Sequence, residues 1–351
     1  MLVTNKFGIG AYTDTKPTTP YPQQIADAAD LVGQSGWVML YLCAWRSESS
    51  SCMNASTLSI GAEDRAMLLA AYARSLNVVV RLGYPYFVRD HSDDVQHLRY
   101  TRLAAAYAHV ITSLPQPPSG TQLYVHAGNE FNACNEWRCS SAPRQSEWSV
   151  IEPNISAVTM AREVAGFYSD LERAVAPVLT PQLRYAHGPI ADWNMAACAC
   201  PSGAPLGQGT KGLQFLQAML VAQPGLWQRR SISWFSSHSY PYSEAPWGDP
   251  DGKCMRGLTY YRNETRLVAP AATLPVIVTE TGWRTGARGS SPPFTADEQA
   301  NWTSLAFLRV WLPDPQVCRQ SRLRLPCPSR PTCRSIALLP YPLPPDLIPF
   351  H

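Results

Sequence analysis

Short runs of apolar and β-branched residues recur along this chain, and each is followed by a stretch with helical periodicity. The sequence predicts strands at Phe7–Tyr12, Trp37–Trp45, Val78–Pro85, Leu123–Glu130, Leu183–Gly188, Ser231–Tyr240 and Val276–Glu280. Most of these runs are continuously apolar rather than alternating, which suits strands covered on both faces, as in a parallel sheet. Between them, Leu68, Tyr72 and Leu76 share one helical face, as do Val164, Phe167, Leu171 and Val175. Trp302, Leu305, Leu308 and Leu312 repeat at three and four behind a capping box formed by Thr295 and Glu298. Alternating strand and helix is the pattern of an α/β fold. Six or seven such units over roughly 300 residues fit a (β/α)8 barrel better than an open doubly wound sheet.

That pattern covers residues 1–312. Residues 313–351 break it: ten are Pro, and Cys318, Cys327 and Cys333 stand among Arg, Ser and Pro. Proline has no ladder donor and a fixed φ, so no eighth strand is legible there. The barrel is therefore expected to have its eighth strand missing or replaced by an irregular Pro-rich tail. The tail reads as disordered or as an artefact of gene prediction, with a loop wrapping the barrel as the alternative.

Composition removes several function classes. The 351 residues are 45% hydrophobic and 16% charged, ample for one large domain. The net charge of +3 comes from the tail, which holds five Arg and two Asp. The body keeps 24 of the 29 basic and 24 of the 26 acidic residues. A neutral body carries no electrostatic footprint for nucleic acid. No run of about 18 apolar residues occurs, so no membrane span is expected, and the opening residues show no charged and apolar leader. Ten Cys and the sequons at Asn54, Asn154, Asn263 and Asn301 nevertheless point to a secreted or secretory-lumen glycoprotein with disulfides. The expected pairings are Cys43 with Cys52, Cys134 with Cys139, and Cys198 or Cys200 with Cys254, although sequence does not determine connectivity.

Two of the predicted strands stop at a carboxylate: LYVHAGNEFN holds Asn129-Glu130, and PVIVTETGW holds Glu280. Residues just past the strand ends form the active face of a (β/α)8 barrel. Two carboxylates about 5 Å apart there can cleave a glycosidic bond with retention. Glu130, next to Asn129, suits a general acid, and Glu280, held from behind by a rigid strand, suits a nucleophile. His238 and Tyr240, at the end of the sixth strand, are expected to point the same way and to orient Glu280. Arg46, at the end of the second strand, and Arg81, in the third, could lower the pKa of Glu280; ordinary ion-pair or solvated roles are the alternative. Trp283 offers a face for a pyranose. Trp45, Tyr84 and Tyr86 also lie at or after strand ends and could line a sugar cleft.

From Phe7 to Leu312 the arrangement resembles the clan A glycoside hydrolases, retaining enzymes of the (β/α)8 class. Their pattern is Asn-Glu after the fourth strand, Glu after the seventh, and an aromatic or His residue after the sixth. Asn129, Glu130, Glu280 and, more loosely, His238 and Tyr240 match it. The resemblance implies that Glu130 is the acid/base and Glu280 the nucleophile, that Asn129 binds the hydroxyl beside the anomeric centre, and that the substrate is a β-linked glycoside or polysaccharide. The family also offers an aromatic platform after the eighth strand, which this chain lacks. Two carboxylates supply both chemical roles, so neither cofactor nor metal is required. The alternatives are a non-catalytic glycan-binding barrel or inactive truncated product, and a transglycosylase using the same residues.

Other patterns are decoys. Gly207–Gly212 spells G-x-G-x-x-G but follows a Pro-rich loop instead of a strand. The Cys spacings are not those of a zinc module, and no G-x-S-x-G is present.

Overall fold

The computed structural model of the chain describes residues 8–12, 20–43, 60–83, 100–132, 157–190, 211–240, 257–269, 274–282 and 295–318. Seven strands alternate with helices: β1 (Gly8–Tyr12), α1 (Tyr21–Val32), β2 (Trp37–Cys43), α2 (Ala62–Ala73), β3 (Asn77–Gly83), α3 (Tyr100–Ser113), β4 (Leu123–Ala127), α4 (Ala157–Val175), β5 (Leu183–His187), α5 (Lys211–Ala222), β6 (Phe235–Ser237), α6 (Tyr261–Val268), β7 (Val276–Val278), α7 (Ala296–Ala306) and α8 (Pro315–Cys318). All strand pairings among the described residues are parallel. β1 to β5 form one sheet in chain order, and β6 and β7 form a second. A bridge between Tyr185 and Ile232 joins the edge of β5 to the approach of β6. The protein is thus an α/β fold with parallel sheets. Among the described residues no strand follows β7, and no helix is long and apolar enough to cross a membrane.

The central strands β3 to β6 bury two faces. The outer side chains, such as Val38, Leu40, Val78, Val80, Leu123 and Val125, pack with the helices into one large core. In α4 the stripe Val164, Phe167, Leu171 and Val175 is fully buried, as its periodicity predicts. The inner side chains form a second, smaller cluster. Val79, Tyr124, Ala186 and Trp234 meet there with Trp37, Met39 and Ile277. Tyr124 lies 4.9 Å from Trp37 and 5.6 Å from Trp234, ring centre to ring centre. These residues come from β2 through β7, so the sheets curve about a shared interior.

Two parts differ from expectation. Helix α7 keeps its Thr295–Glu298 capping box, but Leu308 is 58% exposed. The helix passes into a π turn over Phe307–Trp311, with Leu312 N–H donating to Phe307 O at 2.8 Å. The wider turn rotates the inward face, so Trp311 is buried and its Nε1 donates to Leu258 O at 3.1 Å. Folded structure also continues past Leu312. Asp314 is buried and accepts hydrogen bonds from Tyr261 Oη, from Arg262 Nη2 at 2.8 Å and from Gln316 N at 2.7 Å.

Candidate active site

β4 delivers Asn129 and Glu130, but not as the last residues of a strand. The strand stops at Ala127, and Gly128 N–H makes one more ladder bond, to Leu82 O at 2.7 Å. Gly128 then turns at φ +81°, where the Phe131 ring occupies the place of a side chain: a Cβ there would lie 1.8 Å from the ring. Glu130 itself has φ +31°, a conformation that L residues with side chains seldom adopt and that marks a constrained site. Asn129 and Glu130 are both buried.

β6 and β7 deliver the other half. The expected strands shorten to Phe235–Ser237 and Val276–Val278, yet the chains beyond them stay bound together. Thr279 N–H donates to Ser237 O at 2.9 Å, Ser236 Oγ and Thr279 Oγ1 lie 2.7 Å apart, and Thr281 Oγ1 donates to Ser239 O at 2.6 Å. Glu280 is therefore clamped by bonds on both sides of it. Side chains alternate along the 236–240 segment, which turns His238 and Tyr240 towards the acids, as expected.

His238 is the centre of the constellation. Its Nδ1 lies 2.7 Å from Glu130 Oε1, and its Nε2 lies 3.6 Å from Glu280 Oε2. One imidazole thus faces both carboxylates. Glu280 also accepts from Arg81 Nη1 at 3.0 Å on Oε2 and from Tyr240 Oη on Oε1. Burial alone would raise the pKa of Glu280. His238, Arg81 and the Tyr240 hydrogen bond outweigh it and hold the carboxyl below its ordinary value.

Arg81 is fixed from below. It lies opposite Tyr41 on one side and His126 on the other in the ladder, and its guanidinium sits 4.9 Å from the centre of the Tyr41 ring. His126 is fully buried; burial first, then the charges of Arg81 and His238, push its pKa well below the usual histidine range. A neutral imidazole beneath Arg81 leaves the guanidinium charge directed at Glu280.

Of the residues expected from sequence, Glu130, Glu280, His238, Tyr240 and Arg81 converge, and Asn129 lies beside Glu130. Trp45, Arg46, Tyr84, Tyr86 and Trp283 lie outside the described residues, as does at least one partner of every expected cysteine pairing. Sequence reasoning missed Tyr41, His126, Ser237, Ser239 and Glu264. The signal for Glu264 was present: it occupies the buried stripe Tyr261, Glu264, Thr265 and Val268 of α6, where an apolar residue is the norm.

No protein-family profile and no curated protein sequence matches the chain. Solved structures similar to it include a GH128 subgroup I endo-β-1,3-glucanase from Amycolatopsis mediterranei in complex with laminaritriose, at 12% identity and a TM-score of 0.38, over 89% of this chain and 86% of that one. A GH39 β-xylosidase from Caulobacter crescentus is 13% identical with a TM-score of 0.42, over 88% of this chain and 60% of that one. A β-glucosidase designated 1317 is 14% identical with a TM-score of 0.43, over 82% and 72%. Superposition at this level adds no weight to the chemistry of the site.

Proposed function

We propose that the chain is a retaining glycoside hydrolase acting on β-linked glycosides or polysaccharides, built on a barrel of the (β/α)8 type. The observation that carries the reading is the pair of carboxylates flanking one imidazole, with one carboxylate held ionised by a cation and a phenol. Glu280 attacks the anomeric carbon and forms a glycosyl ester. Glu130 protonates the departing oxygen and then takes a proton from the water that cleaves the ester.

The environment of Glu280 favours retention over inversion. An inverting enzyme needs a carboxylate that takes a proton from water, and a depressed pKa makes a poor base. A nucleophile gains from the same depression: it stays ionised, and it departs more readily when the ester is hydrolysed. In this reading Asn129 binds the hydroxyl beside the anomeric centre, and Tyr240 and His238 orient Glu280. The same reading assigns sugar contact to Arg46, Trp45, Tyr84, Tyr86 and Trp283 from their places in the sequence alone. The sequons support a secretory-route glycoprotein.

Incubation with a 2-deoxy-2-fluoro aryl β-glycoside tests the assignment. Peptide mapping is expected to find the sugar on Glu280. No adduct across a panel of sugars, on protein shown to be folded, would reject the proposal.

A further inference from the structure

A buried acid on the outer side of β6 holds the segment that carries His238 and Tyr240. Glu264 of α6 is 1% exposed. Ser237 Oγ donates to its Oε2 at 2.5 Å. Ser239 Oγ lies 3.0 Å from Ser237 Oγ and accepts from Tyr261 N–H at 3.1 Å. A chain of hydrogen bonds therefore runs from the first turn of α6 through Ser239 and Ser237 and ends on Glu264.

The two serines flank His238 in sequence, so their side chains are anchored on the helix side while His238 faces the carboxylates. Ser239 has a second tie: its carbonyl accepts from Thr281, the residue after Glu280. Fixing Ser237 and Ser239 thus fixes three side chains of the site at once. We propose that Glu264 is a positioning residue: through Ser237 and Ser239 it sets the orientation of His238 and Tyr240 towards Glu130 and Glu280. The catalytic consequence rests on the glycosidase reading above; the structural one does not.

The ionisation of Glu264 makes the arrangement testable. Burial pushes its pKa up to about 8, against the opposing effect of the Ser237 hydrogen bond. On its own helix Tyr261 and Arg262 are engaged with Asp314, and Arg266 lies on the exposed side. On β6 the facing groups are the two hydroxyls, with His238 turned to the other side. Among the described side chains of α5, which packs on α6, there is no acid or base. Ionisation near pH 8 would thus place a buried charge at the end of the hydrogen-bond chain without a described cation to receive it.

The experiment uses the full chain labelled with [15N]histidine, the His238 signal being identified by its loss in His238→Asn. In the wild type the His238 imidazole shifts are expected to step near pH 8. In Glu264→Gln, whose amide oxygen still accepts from Ser237, that step disappears and the lower-pH shifts return. In Glu264→Ala the shifts are displaced at every pH. A step that persists in Glu264→Gln overturns the inference, as does a folded Glu264→Ala whose His238 signals coincide with the wild type's. On aryl β-glycosides, kcat of Glu264→Ala is expected to fall roughly tenfold to a hundredfold through misalignment, with KM changed much less. Absence of hydrolysis by the wild type rejects the glycosidase reading alone, because the imidazole signals still decide the role of Glu264.

Discussion

Arg81 reaches Glu280 across 199 residues of chain, with its Nη1 3.0 Å from Glu280 Oε2. The guanidinium is nearly buried and the carboxylate side chain is 31% exposed, so the pair sits where interior meets open space. Together with His238, a cation held there keeps Glu280 ionised in surroundings that would otherwise favour its neutral form.

In the proposed hydrolase this relationship sets the acid side of the pH profile. With Arg81 in place, activity should persist below the usual carboxylate range, because loss of activity on acidification requires Glu280 to take a proton. Arg81→Met removes the cation and should move the acid limb of kcat/KM upward by about one pH unit or more. Tyr240→Phe should move it in the same direction. Initial rates from pH 3 to 7 measure the effect, and an unmoved limb in both variants would refute the assignment of Glu280 as the group that must stay ionised.

Glu280→Gln should abolish hydrolysis of an activated aryl β-glycoside while circular dichroism and melting stay near wild type, since the amide oxygen still accepts from Arg81 and its NH2 can donate to Tyr240 Oη. A rate within tenfold of wild type would count against nucleophilic attack.

Glu130→Ala should separate the two steps of the reaction. Cleavage of substrates with poor leaving groups is expected to fall by about 10²–10⁴-fold, and dinitrophenyl glycosides much less, because they need no proton on departure. An equal loss for both classes would place Glu130 outside the acid/base role.

Gly128→Ala tests the turn that aims Glu130. The added methyl must share space with the Phe131 ring at a positive φ, so a loss of about 2–4 kcal/mol is expected. Urea unfolding followed by fluorescence gives the value. A loss under about 0.5 kcal/mol would mean that the turn relaxes freely.

Asp314→Ala tests the segment beyond Leu312. It strips partners from Arg262 and from the buried Tyr261, and a loss of about 3 kcal/mol is expected. A chain ending after Leu312 should lose at least as much. Equal melting temperatures for that chain and the wild type would make the Asp314 contacts incidental.

The Glu264 carboxyl should also tie stability to pH. Its folded pKa, raised to about 8, lies above the ordinary carboxyl value of 4.5. The folded state therefore holds the proton more tightly, and the stability linked to that proton is full below about pH 4.5 and lost as pH rises to about 8. The difference in melting temperature between the wild type and Glu264→Gln should change across that window and level off above it.

The order of elements was legible because each rests on local pattern. Runs of five to ten residues rich in apolar and β-branched side chains marked the seven described strands, and the 3.6-residue stripe of α4 was visible in Val164, Phe167, Leu171 and Val175. The candidate acids were legible because each follows an apolar run and stands beside a recognisable neighbour, Asn129 or Thr281-Gly282. The strand ends were not. Composition does not reveal that Gly128 takes a positive φ against Phe131, or that the fourth turn of the last long helix widens and turns Leu308 outward.

Sequence by itself determined which residues could be catalytic, since carboxylates after buried strands are a property of the local chain. Only the tertiary structure decided that His238 faces Glu130 and Glu280 together, that Arg81 belongs to Glu280, and that Glu264 braces the segment between them. Those are contacts between strands and helices far apart in the chain, set by how the curved sheets bring their ends together, and no local preference of a polypeptide encodes a distance of that kind.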